Sequence, residues 1–329
     1  MPGFKQRFLR IAAAGPLVLG LSLSAPVGAL DASHTPALRP VTLHPAPGLP
    51  LPQRDLARTT DPLLQAGLEH CLRQLQLDGA VRTGHLSVSL VDVTDDQRPV
   101  LAEVNGDRMF YAASLPKIAI LLGAFEKAAA GQLELDAAAI GQLRAMIRQS
   151  SNTAASSMLA RVGTDYLAGV LQSDRYRLYD AARNGGLWVG KPYAGGSATR
   201  RDPLHQLSHA ATAYQVARFY YLLETGQLVS PAASRAMKEI MGSPAIHHKF
   251  VAGLESRHPD AKLFRKSGTW RNFHSDSAIV ERGGRRYIAV ALSDDARGGD
   301  WLKSLIGGLD DAVFASAAQT VAAAKQPLL

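Results

Sequence analysis

Apolar residues recur with helical spacing at Leu64, Leu68, Cys71, Leu72 and Leu75, which predicts a helix over residues 61–77. Asp61-Pro62 supplies an N-cap and a first-turn proline, and Asp78-Gly79 reads as the stop. The period then changes to two. Residues 85–93 and 98–104 alternate as a strand and its partner, joined through the polar Thr94-Asp95-Asp96-Gln97. A dense apolar run follows and predicts a helix over 114–130, with Ser114 at or near its N-cap, Pro116 in its first turn and Gly131 past its end. Two more helices are expected within 133–162, interrupted by Ser150-Ser151-Asn152. Residues 172–206 are rich in Gly, Pro, Asn and Arg, lack periodicity and read as a long loop. Residues 208–225 and 231–241 have helical patterns. Three strand-like runs come next, at 262–270, 275–282 and 286–293, with Gly283-Gly284 at a hairpin turn. An Ala- and Leu-rich helix over 300–324 closes the chain.

This order predicts an α+β fold: an antiparallel sheet drawn from both ends of the chain, flanked by N- and C-terminal helices, with an all-helical sub-domain inserted. The α/β part would comprise residues 61–112 and 242–329, and the helical part 113–241. Ahead of this 61–329 domain, Lys5, Arg7 and Arg10 precede an apolar run at 11–23, and Val27-Gly28-Ala29 offers small residues for cleavage. Residues 1–29 therefore read as a secretory signal peptide. Residues 30–60 carry prolines at a density that reads as an extended linker. A periplasmic or secreted protein follows, with no stable membrane insertion after signal cleavage.

Composition narrows the class. The 329 residues are 47% apolar, enough for a large core, and the net charge is +8. The basic residues are scattered and poor in neighbouring aromatics, so no nucleic-acid groove is expected. Cys71 is the single cysteine and lies on an apolar helical face, as a buried structural thiol would.

The candidate chemistry starts at Ser114-Leu-Pro-Lys117. On a helix, i and i+3 share a face, so an amine would stand one turn from a hydroxyl. A desolvated lysine loses its proton more readily and can serve a serine nucleophile as base, while free N–H groups at a helix start suit an oxyanion. Ser150-Ser151-Asn152 places a second hydroxyl and an amide at a helix break. Lys266-Ser267-Gly268-Thr269 lies on a predicted strand, with a glycine where a substrate backbone would approach.

In order, these read S-x-x-K, S-x-N and K-[ST]-G. Over residues 61–325 the chain resembles the penicillin-recognising serine enzymes and, within them, the class A β-lactamases. That resemblance implies a β-lactamase/transpeptidase-like fold and an acyl-enzyme on Ser114. It implies that Lys117 shuttles the proton, that Ser150 relays it to the leaving nitrogen, and that Asn152 binds the substrate's amide side chain. Lys266 and Ser267 would hold the substrate carboxylate, with Gly268 beside it, and the N–H groups of Ser114 and Thr269 would form the oxyanion hole.

The chain departs from that pattern twice. The gap between Lys117 and Ser150 is short, which predicts a more open pocket. No glutamate lies between Glu134 and Glu224, where the family's Ω-loop carries the one that activates the deacylating water. Asp180-Ala-Ala-Arg-Asn184 keeps the acid-to-asparagine spacing, so Asp180 is expected to replace the glutamate and Asn184 to help hold the water.

Other features carry less. His205 and His209 are spaced for one helix face but lack the motif glutamate and an obvious third ligand, so no metal or other cofactor is expected. Trp188 and Tyr193 would either line the pocket or pack in the core. Three readings stand: a β-lactam hydrolase, a DD-peptidase-like enzyme acting on peptidoglycan peptides or releasing β-lactams slowly, and a non-catalytic relative. The partner in the first two is a small β-lactam or a peptidoglycan peptide, met by a monomer.

Overall fold

The computed structural model describes residues 55–324, so the expected signal peptide and most of the expected linker lie outside the described residues. The end of the linker is not an extended tether. Leu56–Arg58 form a turn of 3₁₀ helix, Leu56 is buried in the core, and Thr60 bridges to Leu101.

In chain order the elements are α1 (Pro62–Gln74), α2 (Asp78–Arg82), β1 (Leu86–Asp92), β2 (Val100–Val104), β3 (Phe110–Tyr111), α3 (Lys117–Ala129), α4 (Ala137–Arg148), α5 (Asn152–Val162) and α6 (Thr164–Gln172). Then come β4 (Tyr179–Asp180), β5 (Gly185–Gly186), β6 (Trp188–Val189), β7 (His209–Ala211), α7 (Ala213–Glu224), α8 (Pro231–Met241) and α9 (Phe250–Glu255). The chain closes with β8 (Lys262–Trp270), β9 (Phe273–Arg282), β10 (Arg285–Ser293) and α10 (Gly298–Ala324).

The main sheet runs β2-β1-β10-β9-β8, so strands from both chain ends meet at the β1–β10 pair. Side chains alternate between two cores. Val91, Ile279, Ile288 and Val290 pack toward the helical part, while Val88, Leu90, Val280 and Ala289 pack under α1 and α10. With both faces covered, β10 reads as a continuous apolar run from Tyr287 to Leu292, whereas β1 places the buried serines Ser87 and Ser89 between its apolar residues. Cys71 is buried between α1 and α10, its thiol pushed up to about 11 by desolvation. Among the described residues no helix is long and apolar enough to cross a membrane.

Local signals explain most boundaries. Asp61, Asp136, Ser151 and Ser230 each cap a helix through an N–H three residues on. Gly283 and Gly284 both have positive φ, as a two-residue hairpin of primed type requires. Three expectations are corrected. Asp78-Gly79 opens α2 instead of ending the helical region. Residues 209–211 are a strand, because β7 pairs with both β3 and β6, and the helix starts only after the Thr212 cap. The 172–206 stretch holds three two-residue strands.

One buried ion pair ties the end of the sheet to the segment before α9. Arg265 Nε and Nη2 donate to the two Asp276 oxygens at 2.7 Å each, while Arg265 also reaches Ile246 O and His248 O. Asp276 accepts in addition from the Phe250 N–H. Removing one partner leaves a buried charge exposed to no solvent, so Asp276→Ala is expected to cost about 3–5 kcal/mol of stability in chemical denaturation.

Candidate active site

The chain reverses at Ala113, whose φ of +50° is unusual for a residue with a side chain. Ser114 follows, inside the turn that leads to α3. Bonds from Leu115 N to Ala112 O (3.0 Å) and from Lys117 N to Ser114 O (3.3 Å) wind that turn. The helix cap is Pro116 and Lys117 is the first helical residue, so Ser114 is not the N-cap. Its backbone is fixed from outside by strand β8. A Cβ on Gly268 would lie 2.8 Å from Ser114 N and 2.3 Å from Ala112 O, so only glycine permits this approach. Ser275 Oγ donates to Ala112 O at 3.0 Å and stitches the same contact. The Ser114 N–H has no acceptor among the described residues, as an oxyanion donor requires.

Lys117 is fully buried, since α3 is covered on every side over its first turns. Its Nζ donates to Ser150 O (2.6 Å) and Asn152 Oδ1 (2.8 Å) and reaches Ser150 Oγ at 3.4 Å. Ser150 also has positive φ, +57°, at the break between α4 and α5. From the other side Lys266 Nζ donates to Ser150 Oγ at 2.9 Å and to Ser267 O at 2.6 Å. The Ser150 hydroxyl therefore stands between two buried amines.

Desolvation pulls the Lys117 pKa down to about 7. It also lowers Lys266 well below the ordinary lysine range, with the neighbouring Lys117 charge adding to the effect.

Behind β8 lies Lys249, which the sequence reading passed over. Only 4% exposed, its Nζ donates to Gly268 O (2.6 Å), Thr269 Oγ1 (2.8 Å) and Ser275 O (3.2 Å). Burial lowers its pKa to about 8. Ser267 Oγ faces His248 Nε2 at 3.3 Å, and that ring, lowered to about 4 chiefly by burial, is neutral at physiological pH. No motif announces this pair, because the ion pair of Arg265 and Asp276 is what brings residues 248–249 to the strand.

The eight residues of the three motifs thus converge: Ser114, Lys117, Ser150, Asn152, Lys266, Ser267, Gly268 and Thr269. Residues 72–140 and 141–321 match the model of the Beta-lactamase enzyme family. The chain belongs to that family.

No curated protein matches its sequence. Among solved structures, a β-lactamase from Sphaerobacter thermophilus DSM 20745 aligns with TM-score 0.58 and 17% identity, covering 76% of this chain and 96% of that one. An ancestral class A β-lactamase (GNCA) aligns with TM-score 0.58 at 19% identity, covering 73% and 99%. A PBP-A mutant, solved as an acyl-enzyme complex with penicillin G, gives 0.58 at 20%, covering 80% and 99%. At these identities the likeness is one of fold.

Against that family frame the loop residues differ from expectation. Asp180 accepts from Arg177 Nη2 at 2.7 Å and from the Ala182 N–H at 3.0 Å. It caps the turn at Ala181–Arg183 and bonds to none of the eight residues. Asn184 donates to Asp107 O and accepts from His205 Nε2, also outside the site. An acid followed two residues later by a free N–H closes on its own backbone, which is why the retained spacing does not deliver a carboxylate to the site. His205 and His209 do not share a helix face either: His205 precedes β7, and His209 Nε2 donates to Lys191 O. Trp188 is core, with its Nε1 on Arg200 O. Tyr193 is the loop residue that reaches the site, its ring centroid 4.6 Å from Lys117 Nζ.

Gly268→Ala is expected to lower stability by about 1–3 kcal/mol in thermal or denaturant unfolding, since the added methyl meets backbone atoms. Asp180→Ala should cost about 1 kcal/mol through the lost cap. A fall in turnover beyond what that loss explains would return this carboxylate to the site.

Proposed function

We propose that this protein is a serine hydrolase that opens β-lactams through an acyl-enzyme on Ser114, and that it works outside the cytoplasm after export. Ser114 Oγ attacks the lactam carbonyl as Lys117 takes its proton. The oxyanion is received by the N–H groups of Ser114 and Thr269. The proton passes from Lys117 through Ser150 to the lactam nitrogen as the C–N bond breaks. Lys266 and Ser267 draw the substrate carboxylate, and Asn152 binds the amide side chain. The neighbouring PBP-A mutant held as a penicillin G acyl-enzyme supports the same chemistry on a shared fold.

The observation that carries this reading is the Ser150 hydroxyl within hydrogen-bond reach of both Lys117 and Lys266, with Lys117 three residues after Ser114 in the chain. Such a bridge offers a path for a proton between the two amines and the hydroxyl. A second reading, a slow-releasing penicillin-binding enzyme of DD-peptidase type, draws on one feature: the hydrogen-bond partners of Lys117 include no carboxylate.

Intact-mass spectrometry after mixing with penicillin G tests the proposal. A Ser114 adduct that clears within the turnover time is expected, whereas a persistent adduct supports the second reading. Acylation should rise with pH through an inflection near 7, where Lys117 loses its proton. Lys117→Arg, which stays charged, should slow acylation by about 10²–10⁴. Hydrolysis that survives in Ser114→Ala would refute the nucleophile.

A further inference from the structure

Lys249 carries a charge that no step of the acyl transfer uses. It is buried, yet its ammonium donates only to uncharged oxygens: Gly268 O at 2.6 Å, Thr269 Oγ1 and Ser275 O. The buried acid close by, Asp276, has both oxygens on Arg265. Burying a cation without a paired acid is costly. The backbone is strained to place it as well. Lys249 has φ +51° and ψ −119°, a conformation rare for a residue with a side chain. Its flanks are clamped, because Arg265 donates to Ile246 O and His248 O while Asp276 accepts from the Phe250 N–H.

The target of this grip is one peptide group. The bond joining Gly268 to Thr269 is planar and trans, so its carbonyl and its N–H point in opposite directions and turn together. With Gly268 O on Lys249, the direction of the Thr269 N–H is set from behind the strand. The same peptide borders the serine turn. A Cβ on Gly268 would stand 2.8 Å from Ser114 N, and Ser275 Oγ links Ala112 O (3.0 Å) to Gly268 O (3.4 Å). A cation on the carbonyl oxygen also draws electron density from the amide nitrogen, which makes the N–H a stronger donor.

We infer that Lys249 is a positioning residue for the oxyanion hole: through the Gly268–Thr269 peptide group it aims the Thr269 N–H and strengthens it as a donor to the oxyanion formed at Ser114. The inference rests on the acyl-enzyme reading of the site. In this role Lys249 touches no reacting atom, and it acts only while charged. Burial lowers its pKa to about 8, with Asp276 favouring the charge and Arg265 opposing it. The other groups facing it are Lys266 from β8, His274 from β9, and Asp300 and Lys303 from α10, with His248 beside it in the chain. The grip is therefore complete at lower pH and is lost as pH rises through about 8.

Pre-steady-state acylation by penicillin G, followed by intact mass on the full chain, tests this. The amplitude of the adduct counts folded molecules, while its rate constant reports their reactivity. In Lys249→Met the acylation rate constant should fall at least about tenfold, with the dissociation constant for penicillin G within about twofold of wild type. The infrared stretch of the acyl carbonyl should rise in frequency as its donor weakens. In the wild type the rate constant should rise near pH 7 with Lys117 and fall again near 8 with Lys249. Lys249→Arg, which stays charged, should restore the rate and lose that alkaline fall, and these two profiles decide if the methionine variant does not fold. An unchanged rate constant in Lys249→Met, a loss confined to the dissociation constant, or an alkaline fall that persists in Lys249→Arg overturns the inference. No Ser114 adduct on the wild-type chain would overturn the acyl-enzyme reading itself, and the inference with it.

Discussion

The site depends on keeping one amine out of water. A lysine lowered from 10.5 to about 7 has had its charged form penalised by about 5 kcal/mol. The Tyr193 face opposes this, since a ring favours a cation by roughly 2 kcal/mol when desolvated. Desolvation is the larger effect, and it comes from the packing of α3. Residues Ile118 to Phe125 are buried without interruption, so the helix carries Lys117 into a dry interior as a consequence of its own apolar sequence. The core that stabilises the helical part and the chemistry of its first residue are one interaction.

Around that amine the other charges are arranged with little compensation. Lys266 and Lys249 are buried nearby, and the one buried acid beside them, Asp276, is engaged in both oxygens by Arg265. A pocket edged by such lysines favours a ligand that brings its own negative charge, as a β-lactam carboxylate does. Non-glycine residues with left-handed backbone stand at Ala113, Ser150 and Lys249, each within a residue of a group the site uses or at that group itself. Strain of this kind persists only where the surroundings over-determine it. Here the surroundings are the close approach at Gly268, the two lysines on Ser150 and the Arg265–Asp276 pair.

Much of this was legible in the chain. The three motifs named eight of the residues that gather around Lys117 and β8, because each motif sits at an element boundary set by local chemistry: Pro116, the Ser151 cap and the β8 run. That the sheet draws its strands from both ends of the chain was readable too, and the pairing order came from the structure. Contacts made at long range stayed hidden. Nothing near Lys249 or Tyr193 in sequence marks them as site residues, because the buried ion pair and Ser156 bring them in. Asp180 misled for the opposite reason: its spacing matched, but its carboxylate is satisfied within its own turn and by Arg177. The β7 strand was missed because three residues give too little alternation to read, although Thr212 and Gln215 form the cap signature that marks where the helix begins.

The join of β1 to β10 fixes when the molecule can become itself during synthesis. Ser114 and Lys117 leave the ribosome early, yet the strand carrying Lys266 is separated from Ser150 by 116 positions. The sheet's central neighbour pair needs residues from opposite termini. Long-range pairing of this sort is slow, because a long loop must close before its contacts reward it. The nascent chain therefore carries Ser114 and its apolar α3 for most of translation without the strand that confines them, and Ser114 acquires its setting only when the last fifth of the polypeptide arrives.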